Sequence, residues 1–441
     1  VSIAACNPYR RRLRLKNTEV GFQHPKSDHG AMSKLVYRVH PLPDTLVDYV
    51  WDFGALTSKD QECYIKEMLR HCVLPDKMKA LAAELVCVSQ EFVTKKAGCS
   101  AVSLRDVRRV KTLFNFFSSD LIARIDSPPE TNLDNYGRSR RESQNSQRKF
   151  RRNEIVIVLA LAHCYHARLP SSAVRNEYRE CISKKWREVY GRSSRNPYHP
   201  FVDANGQWMR KVIKNEQKDY VLRMELEEGT ALNGALLENT FVLLVSILNH
   251  IPVFLVGKPG SSKSLSMELI YSNLRGENSK DRYFRTLPEM WRHGYQGSEN
   301  ARAEGIERVF AKVERMARQE KKENSSNNLH VILLDEVGLA EVSRHNPLKV
   351  LHALLETDAF EDFQTKGGAQ LEYAVVGISN WTLDASKMNR AIYLARPDPD
   401  AEDLLETAIA IYQSMQGDIN YYVNRPMKTL LKKIADTYYK R

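Results

Sequence analysis

Residues 252–264 read PVFLVGKPGSSKS, and the helical pattern LSMELIYSNL follows at once. Pro252 to Val256 is a short apolar run bounded by Pro and Gly, the pattern of a buried parallel strand. A strand, a Gly-rich turn and a helix in that order form a phosphate-binding loop. Gly257, Lys258, Pro259, Gly260, Ser261 and Ser262 form the turn, whose glycines let backbone N–H groups approach phosphate oxygens. The helix start adds its positive dipole end. In this pattern Lys263 reaches the β- and γ-phosphates, and the Ser264 hydroxyl ligates Mg²⁺. Ser262 stands where the pattern has Gly, which sets close backbone approach against a β-carbon.

Downstream, AEGIERVFAKVERMA over 303–317 places Ile306, Val309, Phe310 and Val313 on one helical face. A polar stretch, QEKKENSSNN, then leads into VILLDE, a hydrophobic strand ending in Asp335 and Glu336. An Asp at the carboxyl end of a buried strand can hold Mg²⁺, and the adjacent Glu can orient or deprotonate water. The strand AVVGIS follows and ends in Asn380, a polar group beside the same position. Ligands of open α/β sheets collect at such carboxyl ends. The expected fold is therefore a three-layer α/β nucleotide-binding domain over 208–415, with the start of a helical lid at 416–441.

The rest of the chain contains a repeat. MSKLVYRVHPLPD at 32–44 aligns at one constant offset with MNRAIYLARPDPD at 388–400, matching Met32 to Met388, Tyr37 to Tyr393, Pro41 to Pro397 and Asp44 to Asp400. An apolar run ending in Asn precedes each copy, at Asn7 and Asn380, and an Asp-capped helix follows each. Two tandem modules are expected, with both ends of the chain cut. Residues 1–45 close the first module. Residues 46–207 are its mainly helical lid and linker region, with a basic mobile loop at 126–153 and a Gly/Asn/Pro/Tyr-rich connection near 191–207.

At 441 residues the chain is about three times the length prior for one domain. Its 42% hydrophobic content excludes wholesale disorder. The longest apolar runs, Ile155 to Ala162 and Phe241 to Leu248, fall short of the ~20 residues a bilayer requires. Seven scattered cysteines without a C-x-x-C pair fit reduced thiols in the cytoplasm. A net charge of +12 permits nucleic-acid contact. The basic runs at Arg10–Arg14 and Arg138–Arg152, however, lack interleaved aromatics or a reading module, so nucleic acid is not the expected partner. His163 and His166 read as helix-surface residues, and Asn346 in His345-Asn346-Pro347 as a helix N-cap.

The order of phosphate loop, VILLDE, strand-end Asn and a later Arg resembles an AAA+ ATPase module. More narrowly, GKPGSSKSLS, YQGSENARAEGIERVF, DEVGLAEVSRHNPLKVLHALLE and NWTLDASKMNRAIYLARPDPD resemble the mysterin family, giant ubiquitin ligases built around a dynein-like AAA+ core. IAACNPYR, LVYRVHPLPDTLVDYVWDFG and SLRDVRRV resemble the preceding module of that core. The resemblance implies an α/β P-loop AAA+ domain preceded by the helical lid of the previous module. It implies ATP and Mg²⁺ as cofactors, held through residues 257–264 and Asp335, with Ser264 and Asp335 on the metal.

It further implies Glu336 as catalytic base, Asn380 as sensor 1 and Arg390 as an arginine finger serving the preceding module, with Arg396 as second choice. In the first module Asn7 would be sensor 1, Lys34 would replace the finger, and Arg105 would be the lid's sensor-2 arginine. Implied partners are neighbouring AAA+ modules of the same chain and ubiquitin machinery reached through a ligase region outside this sequence. The function implied is ATP hydrolysis coupled to movement between modules; the alternative is a non-hydrolysing module that holds ATP to fix the ring. A neighbour supplying a finger to the 257–264 site would lie beyond Arg441, so slow turnover is expected of the chain alone.

Overall fold

The computed structural model describes residues 42–51, 56–97, 101–129, 144–193, 203, 205–227, 230–323, 328–341, 343–355, 373–384, 387, 389–399, 401–417 and 422–439. Asn7, Arg10–Arg14, Lys34 and most of the first repeat copy, with Met388 and Asp400 of the second, lie outside these residues.

Five parallel strands form the sheet: β1 (Val253–Val256), β2 (Glu289–Gln296), β3 (Asn328–Asp335), β4 (Tyr373–Ser379) and β5 (Ile392–Ala395). Their spatial order is β2-β3-β4-β1-β5. β4 therefore sits between β3 and β1, with Val256 opposite Ser379 and Leu334 opposite Gly377. This register brings the ends of three strands side by side.

Period-2 alternation divides the strand side chains between two cores. Val253, Leu255, Val376 and Ile378 face a layer containing the helices Gly234–Leu248 and Lys263–Asn273. Phe254, Ile332, Leu334 and Val375 face the other layer, where the helix Ala303–Glu323 buries Ile306, Phe310 and Val313. The α/β three-layer expectation thus matches the structure. Gly377 is required where it lies, because a β-carbon there would stand 2.2 Å from the Phe254 ring.

Among the described residues, six longer helices precede Gly234–Leu248 and the sheet: Ser58–Leu69, Asp76–Ala97, Leu104–Asp126, Arg152–Cys164, Ser172–Ser193 and Gln207–Val221. Their core is continuous with one face of the sheet. Arg152–Cys164 is apolar nearly all round, and every residue from Ile155 to Cys164 is buried. Among the described residues no helix is long and apolar enough to cross a membrane.

Two sequence expectations change here. Residues 144–150 are helical and Arg152 opens the next helix, so the 126–153 stretch is not one loop. The reason is ion pairing: Arg148 donates to Glu216 at 2.9 and 2.7 Å and to Asp219 at 3.0 Å, and Lys149 pairs with Asp126. Residues 130–143 of that stretch lie outside the described residues. His163 and His166 are buried, not on a helix surface. His163 Nε2 lies 3.2 Å from the Val242 carbonyl and 3.1 Å from Ser246 Oγ, and burial holds its pKa at about 4. Asn346 does occupy an N-cap position, in left-handed backbone at φ 44°, without a side-chain cap bond. Asp44 is the first residue of its short helix, after Pro43 at the cap.

A buried polar network joins the helical region to the sheet domain. Arg124 Nε donates to Asp120 at 2.9 Å, and its Nη1 donates to Glu216 at 2.9 Å and to Asp219. The Tyr220 and Tyr283 hydroxyls both donate to Asp120, bringing the domain's own Tyr283 into the network. Arg124 also stacks over the Tyr220 ring at 4.1 Å. Replacing Arg124 by Met strands buried carboxylates, a loss of about 3–5 kcal/mol. Urea unfolding of Arg124→Met is therefore expected to show a much lower midpoint; an unchanged midpoint would mean that Arg148 alone suffices.

Candidate nucleotide site

The phosphate loop lies at the carboxyl end of β1, held from three sides. Gly257 N–H donates to the Ser379 carbonyl at 3.2 Å, Asn239 Nδ2 to the Ser261 carbonyl at 2.8 Å, and Arg396 N–H to the Val256 carbonyl at 2.9 Å. Gly257 allows this closeness, since a β-carbon there would meet Arg396 Cβ at 2.7 Å. Gly260 has φ 81° with open space around it, so its backbone can be approached from outside.

Lys263 starts the following helix, and its side chain folds back into the loop. Its Nζ donates to the Gly257 and Lys258 carbonyls, both at 2.8 Å, and to Ser261 Oγ at 3.2 Å. Burial lowers its pKa, while Glu336 and Asp335 pull the other way. Ser264 is exposed in the first turn, and Lys258 and Pro259 are exposed in the loop, with Lys258 paired to Asp398 at 2.6 Å.

Ser262 takes φ 57° and ψ 25°, the left-handed conformation that Gly adopts without strain. Ser in place of glycine thus puts strain on one residue of the loop.

The acidic pair stands two strands away. Asp335 ends β3 and accepts the Glu336 N–H at 2.9 Å. Glu336 is also left-handed, at φ 49°. Gly297 makes room for this turn, because a β-carbon there would lie 2.4 Å from the Glu336 carbonyl oxygen. Burial raises the Glu336 pKa and Asp335 adds to the rise, against Lys263.

Between them, Asn380 leaves β4 in a turn tied by Ser379: its Oγ accepts from Trp381 N–H at 2.9 Å and donates to the Trp381 carbonyl at 2.6 Å. Asn380 Nδ2 then donates to Glu336 Oε1 at 2.8 Å. The structure thus gathers residues 257–264, Asp335, Glu336 and Asn380 at one sheet edge, and joins the last two directly.

Arg390 is not in this group. It is half-buried in the turn before β5, and its N–H donates to the Lys387 carbonyl at 3.1 Å. Arg109 of the helical region grips that turn through the Ala391 carbonyl at 3.2 Å and the Asn389 carbonyl at 3.3 Å. Lys387 is itself locked by a buried pair with Glu341, at 2.9 and 3.0 Å. Arg396, the second-choice finger, is buried with its guanidinium on Glu238, so it is not presented to a neighbouring module. Arg105 is exposed near the start of Leu104–Asp126.

Sequence reasoning missed Arg109, Arg175 and Glu238. Arg175 Nη1 donates to both Glu238 oxygens at 3.0 and 2.9 Å, and its Nη2 to the Ala395 carbonyl at 3.0 Å. No local period marks such residues.

Chemically, the site offers one buried ammonium, one exposed hydroxyl, a helix start and two carboxylates. That donor set fits a triphosphate and a hard divalent cation. Among the described residues no cluster of three or more His, Cys, Asp or Glu side chains makes a metal site of its own.

Residues 229–403 match the family described as the RNF213 AAA domain. Over 432 residues the chain is 33% identical to the E3 ubiquitin-protein ligase RNF213 of Mus musculus, covering 93% of this chain and 8% of that protein. The Homo sapiens protein of the same name gives 33% over 433 residues, again 93% and 8%. E3 ubiquitin-protein ligase rnf213-beta of Danio rerio gives 33% over 454 residues, 99% of this chain and 8% of that protein. The chain thus spans about 8% of the length of these relatives.

Ser262→Gly should stabilise the chain. Left-handed backbone costs a residue with a β-carbon about 1–2 kcal/mol, and glycine's extra unfolded freedom returns about 0.5–1. A net gain of about 0.5–1 kcal/mol should appear as a higher urea midpoint, with Ser262→Ala showing none.

Proposed function

The chain belongs to the RNF213 (mysterin) AAA family, and from that premise we propose that it binds ATP with Mg²⁺, hydrolyses it, and serves as a motor module of a ubiquitin ligase. The observation that carries this reading is the Asn380–Glu336 hydrogen bond at the strand end beside the phosphate loop. It gives the base a fixed orientation, which a merely acidic strand end would lack.

Residues 257–264 would hold the phosphates, with Ser264 and Asp335 on the metal. Bound Mg²⁺ would offset negative charge on the phosphates. Lys263 would exchange its carbonyl partners for phosphate oxygens. Glu336, its proton affinity raised by burial, would accept a proton from water while Asn380 holds its carboxylate. Arg390 would act outside this site, on the module before it; the grip of Arg109 on its turn supports that role. Ubiquitin machinery would be reached through other parts of the parent protein, and the cytoplasm is the proposed location.

The second reading, ATP held without turnover to fix the ring, is favoured by the strained Ser262 in the loop.

Calorimetric titration of ATP·Mg separates these readings when paired with turnover. Wild type should bind, Lys263→Ala should lose at least tenfold in affinity, and Glu336→Gln should bind normally. Turnover should fall about 10²-fold or more in Glu336→Gln. Slow turnover that Glu336→Gln lowers further supports hydrolysis, and turnover equal in wild type and Glu336→Gln supports the holding role. A folded wild type that does not bind ATP refutes both.

A further inference from the structure

A cleft of about 140 Å³ opens where the helical region meets the end of β5. That is well above the roughly 10–15 Å³ that a single water needs. Charged side chains line it, and most are paired. Arg175 and Arg396 share Glu238, Arg210 Nη2 donates to Glu402 at 2.9 Å, and Lys214 pairs with Glu406. Asp403, the remaining carboxylate on the wall, favours the charged forms of Arg210 and Arg396.

Arg179 differs. It lines the same cleft and is only 6% exposed, yet both of its hydrogen-bond partners are neutral. Its Nη1 lies 2.8 Å from His166 Nε2, and its Nη2 donates to Asn176 Oδ1. His166 must accept that bond, so its ring is neutral; burial and then Arg175, Arg179 and Arg210 push its pKa well down. Arg179 Nε is buried without a hydrogen-bond partner among the described residues. Gly206 fixes the backbone beneath it, since a β-carbon there would lie 2.5 Å from Arg179 Cβ. Burial, then Arg210 and Arg175, lower the guanidinium to about 10, with Glu238 and Glu402 acting the other way.

We propose that this cleft binds a phosphate group, with Arg179 as the unspent donor and Arg175 and Arg210 as flanking charge. A guanidinium fork suits tetrahedral oxyanions, and buried charge-assisted bonds are the stronger kind. Arg175 and Arg179 come from the helix Ser172–Ser193, Arg210 from Gln207–Val221, and Arg396 from the end of β5. A phosphate there would bridge the helical region and the sheet domain. The lining includes none of residues 257–264, Asp335, Glu336 or Asn380, although Arg396 in its wall also packs against Gly257.

Thermal melting of the whole chain with inorganic phosphate, against chloride at matched ionic strength, tests the proposal. Phosphate stabilises most proteins by exclusion from their surface, so the signal is the saturable excess over Arg179→Gln. Wild type and Lys263→Ala should both gain about 2 °C at tenfold excess over the dissociation constant. Arg179→Gln should lose that gain, each protein's shift being taken against its own melting point without phosphate, since the variant also gives up the bonds to His166 and Asn176. An arm with ATP in Lys263→Ala identifies a nucleotide phosphate as the source if ATP gives the Arg179-dependent rise and free phosphate does not. The proposal is overturned if neither phosphate nor ATP gives a larger rise in wild type than in Arg179→Gln, or if the phosphate response is abolished by Lys263→Ala. Should Arg179→Gln not fold, Arg210→Gln takes its place: a weakened response supports the site and an unchanged one refutes it.

Discussion

Glu238 is the point on which both halves of the molecule depend. Its carboxylate accepts Arg175 from the helical region and Arg396 from the end of β5. Arg396 packs against Gly257, and its N–H holds the Val256 carbonyl. Arg175 fills its remaining capacity with the carbonyls of Leu169, Ala167 and Ala395. One buried carboxylate therefore ties the floor of the phosphate loop to a helix that comes some sixty residues earlier in the chain. Removing it would leave two buried guanidinium groups unpaired, and desolvation makes such a loss costly.

The site itself carries local strain. Ser262 and Glu336 both adopt left-handed backbone, and each is supported by neighbours that leave little choice. Ser262 sits between the loop and a helix whose Ser266 hydroxyl caps the Ser262 carbonyl at 2.6 Å. Glu336 is pinned by the Asp335 side chain and by Leu339 N–H on its carbonyl. Strain that persists in this way is held by the surrounding fold, and at a candidate catalytic residue it fixes where the side chain points.

Much of this was legible in the sequence, for a definite reason. Buried parallel strands are short apolar runs, and Gly257 and Gly260, Asp335 and Asn380 mark where three of them stop. The helical face of Ile306, Phe310 and Val313 likewise follows from period alone. What stayed hidden depends on partners far apart in the chain. Arg109 meets Ala391 across 282 positions and Arg396 meets Glu238 across 158, so no window of sequence contains both members. His163 misled because a polar residue in an apolar helix looks exposed until Val242 and Ser246 supply its partners. The basic run around Arg148 misled for the same reason, its carboxylates lying on the helix Gln207–Val221.

The grip of Arg109 on the turn before β5 also has a mechanical side. Leu104–Asp126 is anchored near its far end by Arg124 and holds Arg390's turn near its start. From Arg109 to Asp126 a helix rises about 25 Å, at about 1.5 Å per residue. A tilt of about 5° around the Arg124 end would carry the Arg109 end about 2 Å, and the turn with it. Any such tilt would pivot on one buried charge network and be felt at the turn of Arg390.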